Sequence, residues 1–191
     1  MRRLLPLVAF FGLGLSASVS GATVWAFGAA GISTVTFTKA PSADWNLAAN
    51  QDVISPSVTI TRQNTRGLYN PLGDVAAQRM QGTDAFVEGT QWAVEGFNGN
   101  PSGASFGAAQ FGSLTFSSWG VAWAGSPDQI SHNAVVHLVA EDIYFDLDML
   151  QWSVGGGGGG GFSYERAVPE PSSVVVLALG ALAGLRRRRR G

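Results

Sequence analysis

The chain has 191 residues, of which 46% are hydrophobic, 13% are charged, 26 are glycine and none is cysteine. That length suits one domain, the glycine excess and charge deficit suit short strands and tight turns rather than long helices, and the lack of cysteine excludes a disulfide framework. The formal net charge of −1 hides an uneven distribution: residues 23–168 hold five Lys and Arg against 12 Asp and Glu, a net −7, which argues against a nucleic-acid partner.

In chain order, the first segment is "MRRLLPLVAFFGLGLSASVSGATVW". Arg2 and Arg3 form a basic start, Leu4 to Leu15 an apolar stretch and Ser20-Gly21-Ala22 a small-residue cleavage site. This is the layout of a secretory signal peptide over residues 1–22, with the mature chain starting near Thr23. "STVTFTK" and "SVTITR" then alternate apolar residues with threonine and predict half-buried strands. "GDVAAQRM" is the single helix-leaning stretch. "TQWAVEGF" and "GSLTFSSW" are further strand candidates, separated by the turn-rich "FNGNPSG". "AVVHLVAEDIYFDLDMLQW" carries the cleanest alternation, with Ile143, Phe145, Leu147 and Met149 on one side and Asp142, Tyr144, Asp146 and Asp148 on the other. Gly155 to Gly161 follow as seven consecutive glycines, and "FSYER" predicts a last edge strand after that loop. The pattern predicts an all-β fold, a single antiparallel β-sandwich or jelly roll over residues 23–166 with one face wet.

Residues 167–191 are of another kind. Val174 to Leu185 is a 12-residue apolar run, about 18 Å long as a helix against a bilayer core of about 30 Å. Arg186, Arg187, Arg188, Arg189 and Arg190 follow it directly and act as a membrane stop signal, because such a basic cluster stays on the cytoplasmic side. Pro169, Glu170 and Pro171 stand ahead of it. In that order the parts resemble the PEP-CTERM sorting signal of exported bacterial proteins. The resemblance implies passage through the export machinery, transient anchoring in the inner membrane by a short transmembrane helix and cleavage by an exosortase near Pro169–Pro171. Release to the cell surface or extracellular matrix would follow.

A second resemblance covers most of the mature chain. "TFTKAPSADWNLAANQDVISPSVTITRQNTRGLYN" and "VVHLVAEDIYFDLDMLQWSVGGGGGGGFSYER" look like the beginning and end of a β-rich module of exported proteins. It implies a fold and no mechanism.

Candidate chemistry is sparse. "GASFG" at Gly103–Gly107 fits G-x-S-x-G, and Asp128 with His132 or His137 follows in order. A nucleophile elbow needs a strand before the serine and a helix after it, and neither is predicted here. His132 and His137 lack metal-ligand spacing, and no D-x-D-x-D-G loop accompanies Glu141, Asp142, Asp146 and Asp148. These carboxylates are expected to form a solvated acidic face, with no metal or other cofactor. Trp92, Trp119, Trp123 and Trp152 remain. Trp119 and Trp123 are the candidate glycan platform, since an indole face stacks on a sugar ring, and core packing is the competing role. Two readings stay open: a non-enzymatic surface or matrix protein, and a carbohydrate-binding module acting on extracellular polysaccharide.

Overall fold

The computed structural model describes residues 21–73, 75–77, 80–125, 132–154 and 156–170. Nine strands lie among them: β1 (Thr23–Trp25), β2 (Ile32–Lys39), β3 (Asp52–Val53), β4 (Thr59–Arg62), β5 (Leu68–Tyr69), β6 (Thr90–Val94), β7 (Asn133–Leu138), β8 (Ile143–Trp152) and β9 (Phe162–Pro169). A single helical turn, α1, spans Trp119–Ala122. The larger sheet runs β2-β9-β8-β7-β6 with antiparallel neighbours, and a small sheet runs β3-β4-β5. The protein is thus β-rich and mainly antiparallel, as the alternation predicts.

β8 organises the large sheet. Its ten residues are long enough for one edge to take two partners. β1 lies parallel to Ile143–Phe145, and β9 lies antiparallel to the stretch from Leu147 to Trp152. A register shift between Met149 and Gln151 marks a bulge at the end of the second pairing. On its other edge β8 pairs with β7 through a short hairpin, in register from Leu138–Ile143 to Asn133–Asp148.

The period-2 pattern of β8 sorts its side chains as expected. Phe145, Leu147 and Met149 are buried in the main core, and Ile143 packs partly buried against it. That core takes Trp92 and Val94 from β6, Val136 and Leu138 from β7, and Phe162 and Tyr164 from β9. Val58, Ile60 and Leu68, in and beside the small sheet, belong to the same cluster. The opposite face carries a smaller cluster of Ala93, Val135 and Ala108, with Phe106, Leu114, Phe116 and Tyr144 around it. A 3₁₀ segment, Ala108–Ser113, helps to cover this second face.

Three expectations need correction. "GSLTFSSW" is not a strand: it leaves the 3₁₀ segment, makes one isolated bridge from Ser117 to Trp92 and enters α1. β9 is not an edge, because β2 pairs with it along its whole length, from Ile32–Pro169 to Lys39–Phe162. β9 also continues to Pro169, past the boundary at 166. Nothing local announces the β2–β9 pairing, since more than 120 residues separate the partners.

The glycine run is not a loose tether. Among its described residues, Gly156–Gly158 form a 3₁₀ turn, and the segment then packs onto two neighbouring loops. At Gly160 (φ +65°) a Cβ would run into the Gln63 carbonyl oxygen, and at Gly159 (φ +60°) into Ser42. Both positions need glycine for conformation and for space. Lys39, 1% exposed, directs Nζ at the Gly160 carbonyl (3.3 Å). Arg62 donates Nη1 to the carbonyls of Gly161 (3.1 Å) and Ser153 (3.0 Å) while its guanidinium lies 3.5 Å over the Trp152 ring. Two cations thus satisfy buried carbonyls of the loop.

"GDVAAQRM" falls partly on residues outside the described set. The signal helix and the C-terminal sorting helix fall on residues 1–20 and 171–191, also outside it. Among the described residues no helix is long and apolar enough to cross a membrane.

Candidate functional site

The junction between the β domain and the basic tail is built from the last strand. The large sheet holds β9 between β2 and β8. Tyr164 and Arg166 sit on its core-facing side and reach across to Asp52 on β3 of the small sheet. Arg166 donates Nε to Asp52 Oδ2 (2.8 Å) and Nη2 to Oδ1 (2.9 Å), and Tyr164 donates its hydroxyl to Oδ2 (2.8 Å). Burial opposes the Arg166 charge, but the Asp52 carboxylate outweighs it and holds the guanidinium above its usual pKa. Burial, then the Asp52 charge, pushes the Tyr164 hydroxyl well up. A bidentate pair of this kind fixes geometry as well as charge. The strand carrying the sorting residues is therefore clamped to both sheets.

The clamp extends to the motif itself. Ala167 is fully buried, Pro169 pairs with Ile32, and the Glu170 N–H donates to the Gly31 carbonyl at 2.8 Å. Pro169 and Glu170 are exposed at the end of the sheet. Pro171 and Arg186 to Arg190 lie outside the described residues. The first two residues of Pro-Glu-Pro thus leave the domain straight from a strand.

Trp119 and Trp123, the candidate glycan platform, are each 1% exposed and belong to the main core. This corrects the expectation: an indole enclosed in the core offers no face to a dissolved sugar. Both lie in or next to α1, and Trp119 also packs against Trp152 with ring centroids 5.3 Å apart. Trp92 is fully buried as well. Other half-exposed aromatics gather on the second face. There Tyr144 is stacked between His137 (4.1 Å, 2°) and Phe111 (4.1 Å, 26°). Both faces of the Tyr144 ring are thereby occupied.

The acidic strand also departs from a solvated face. Asp146 is 8% exposed and accepts the backbone N–H groups of Phe27 (2.8 Å) and Ala108 (2.6 Å). Burial raises its pKa and the two N–H donors oppose that rise. It ties the β1–β2 connection and the 3₁₀ segment to the sheet. Asp148, half-buried, stands directly across from Glu165 on β9. Burial, then the charges of Glu165 and Glu95, raise its pKa. Among the described residues no group of three or more His, Cys, Asp or Glu could hold a metal ion.

The G-x-S-x-G match places Ser105 in an exposed 3₁₀ turn, Gly103–Ser105, with no strand ahead of it. Asp128 lies outside the described residues. His132 makes an edge contact with Phe97 and His137 faces Asp142 at 3.3 Å. A hollow of about 220 Å³ is lined by Ser57, Asn70, Leu72, Gly73, Glu88, Gly89 and Ala140, below the ordinary ligand-pocket range of about 300–1,000 Å³. Its polar groups are engaged in the fold. Asn70 accepts from the N–H groups of Thr59 and Leu72 and donates to the carbonyls of Ser57 and Glu88, while the Ser57 hydroxyl donates to Glu141.

Comparison with known proteins agrees with the geometry of the junction. Residues 167–190 match the family described as the PEP-CTERM protein-sorting motif. The match begins inside β9, so the motif and the fold share Ala167, Val168 and Pro169. No curated protein and no solved structure matches the chain. Sequence pattern, strand end and family match converge on one statement: a β-rich domain here carries a PEP-CTERM sorting motif, the mark of an exosortase-dependent exported protein.

Proposed function

We propose that the β-rich domain is a non-enzymatic display domain, delivered by its sorting motif to the cell surface or extracellular matrix. The observation that carries this reading is the direct continuity of β9 with the motif at residues 167–190. The domain is cargo attached to an address, and its two sheets act as a lopsided β-sandwich around the shared core. Support for a structural role comes from where the polar groups go. Asp52, Asp146, Arg62, Lys39 and Asn70 are all engaged in holding elements together.

The strands support particular processing sites. Thr23 opens β1, its N–H donating to the Asp142 carbonyl at 2.9 Å, and Trp25 packs 6.2 Å from Phe145. Cleavage before Thr23 keeps β1 in the sheet, whereas cleavage past Trp25 would strip one edge of β8. Likewise, cleavage before Pro169 would shorten the β2–β9 ladder, which supports a cut within or after Pro169–Pro171. The membrane step uses Val174–Leu185 with Arg186–Arg190 as its stop. Terminal-peptide mass spectrometry on surface material tests the reading. The expected mature ends are Thr23 and the Pro169–Pro171 segment; secreted protein retaining an intact Arg186–Arg190 tail would overturn it.

A further inference from the structure

The two edges of the large sheet are treated differently. β6 ends the sheet on one side, and there Trp92 exchanges backbone hydrogen bonds with Ser117 (2.8 and 2.9 Å), so a crossing segment covers that edge. β2 ends it on the other side and, among the described residues, pairs with β9 alone. Its ladder to β9 is regular over eight residues, without a bulge. It contains no proline, and its one charged residue, Lys39, is buried and turned to the Gly160 carbonyl. Along Ile32–Thr38 the usual protections of an exposed edge, which are charge, proline, a bulge or a cover, are missing among the described residues.

The pairing phase identifies the free groups. The Gly31 carbonyl accepts from Glu170, and backbone groups alternate sides along a strand. Ser33, Val35 and Phe37 therefore turn their N–H and C=O toward β9, and Thr34, Thr36 and Thr38 turn theirs outward. Pro169, which has no N–H, stands opposite Ile32, where this phase asks β9 for no donor. All three threonines have exposed side chains, and Val35 between them is 39% exposed on the core-facing side.

We propose that β2 is a self-association edge, pairing antiparallel with β2 of a second copy about a two-fold axis through Thr36. That register sets Thr36 against Thr36 and Thr34 against Thr38, and it uses every outward group of the three threonines on both copies. Shifting the centre to Val35 would recruit Ile32, whose N–H is already donated to the Ala29 carbonyl. In the Thr36-centred register Val35 of each copy meets Phe37 of the other on the core-facing side, covering apolar surface that one copy leaves open. Thr–Thr pairs line the opposite side, an arrangement that favours cross-strand pairing. A second copy fits the charge as well. The domain is strongly acidic, so two copies repel over most of their surface, whereas Ile32–Thr38 holds no charged residue. The pairing closes on itself as an isologous dimer and leaves β2 of neither copy open.

The absence of cysteine makes the test direct. Cα atoms across a hydrogen-bonded antiparallel pair lie about 5.5 Å apart, inside the disulfide range of about 4.4–6.8 Å. The full chain carrying Thr36→Cys, expressed in exporting cells, should run mostly at twice its mass on a non-reducing gel and return to single mass with reductant. Thr34→Cys, whose partner is Thr38, should stay at single mass. Light scattering should give the unsubstituted surface protein a dimer mass and Val35→Lys, which places a charge on the edge, a monomer mass. Single mass for Thr36→Cys would overturn the proposal. So would equal linking of Thr34→Cys, a linked band at the mass of a different protein, or an unsubstituted protein that remains monomeric.

Discussion

The two faces of β8 hold side chains of opposite kinds, and each is buried by a different means. On the core side Phe145, Leu147 and Met149 are covered by the small sheet and α1, and shape and area do the work. On the other side Asp146 is also buried but sits among backbone donors from two loops, and Asp148 two residues on is only half covered. The apolar face would tolerate many arrangements of covering segments. The polar face tolerates few, because a buried carboxylate must find donors wherever the chain brings them. Burial on one face is general, and on the other it is specific.

The largest effect should come from the apolar face. Phe145→Ala removes a fully buried ring and leaves a cavity, at a cost of about 3–5 kcal/mol. Against a typical domain stability of about 5–15 kcal/mol, circular dichroism should find the domain largely unfolded or the protein poorly expressed. Next comes the ion pair that crosses the same core. Asp52→Ala leaves the Arg166 guanidinium buried without its carboxylate, a loss that typically costs about 3–5 kcal/mol. Chemical denaturation should place it close behind Phe145→Ala, and Asp52→Ala combined with Arg166→Met should recover part of the loss. If the single substitution were silent, the clamp between the sheets would be dispensable.

On the polar face the expected effects are smaller and differ in sign. Asp146→Ala strips the acceptor from the Phe27 and Ala108 N–H groups, costing about 1–3 kcal/mol. Hydrogen exchange should speed up at those two amides before the rest of the sheet. Asp148→Asn should instead stabilise, by about 0.2–1 kcal/mol, since it removes a like charge directly across from Glu165. The pH dependence has the matching sign. Burial and its acidic neighbours hold the Asp148 pKa above the usual carboxylate value, so the folded chain binds that proton more tightly than the unfolded one. Its contribution is fully present below the ordinary carboxylate pKa and is lost as pH rises through the raised folded value. Asp148→Asn should flatten the melting-temperature profile across that window, and an unchanged profile would return Asp148 to the status of a solvated surface charge.

How legible these features were in the sequence depended on their range. The facing of Ile143, Phe145, Leu147 and Met149 could be read directly, because alternation is a local property. The sorting tail was equally readable, since proline, an apolar run and arginines act by their order along the chain. Missed were β1, β3 and β5, which are two or three residues long and too short to show a period. "GSLTFSSW" misled by composition: its aromatic and threonine residues suit a strand, yet the backbone groups on either side are taken by a 3₁₀ turn and α1. The glycine run was legible as a loop before the last strand, but its packing was not. Lys39 and Arg62 supply donors for its carbonyls from 99 to 121 residues away.

The sequence by itself determined the class of the fold, the apolar phase of its central strand and the address at its end. Each of these is written in periodicity or in linear order, which survive without any folding partner. Only the tertiary structure decided that β9 is interior, that Trp119 and Trp123 are core rather than platform, and that Asp146 is a buried tie. It also decided that, among the described residues, β2 is paired on one side only. Those outcomes rest on which distant segments meet, and a residue's exposure or hydrogen-bond partner is a property of that meeting, absent from its neighbours in the chain.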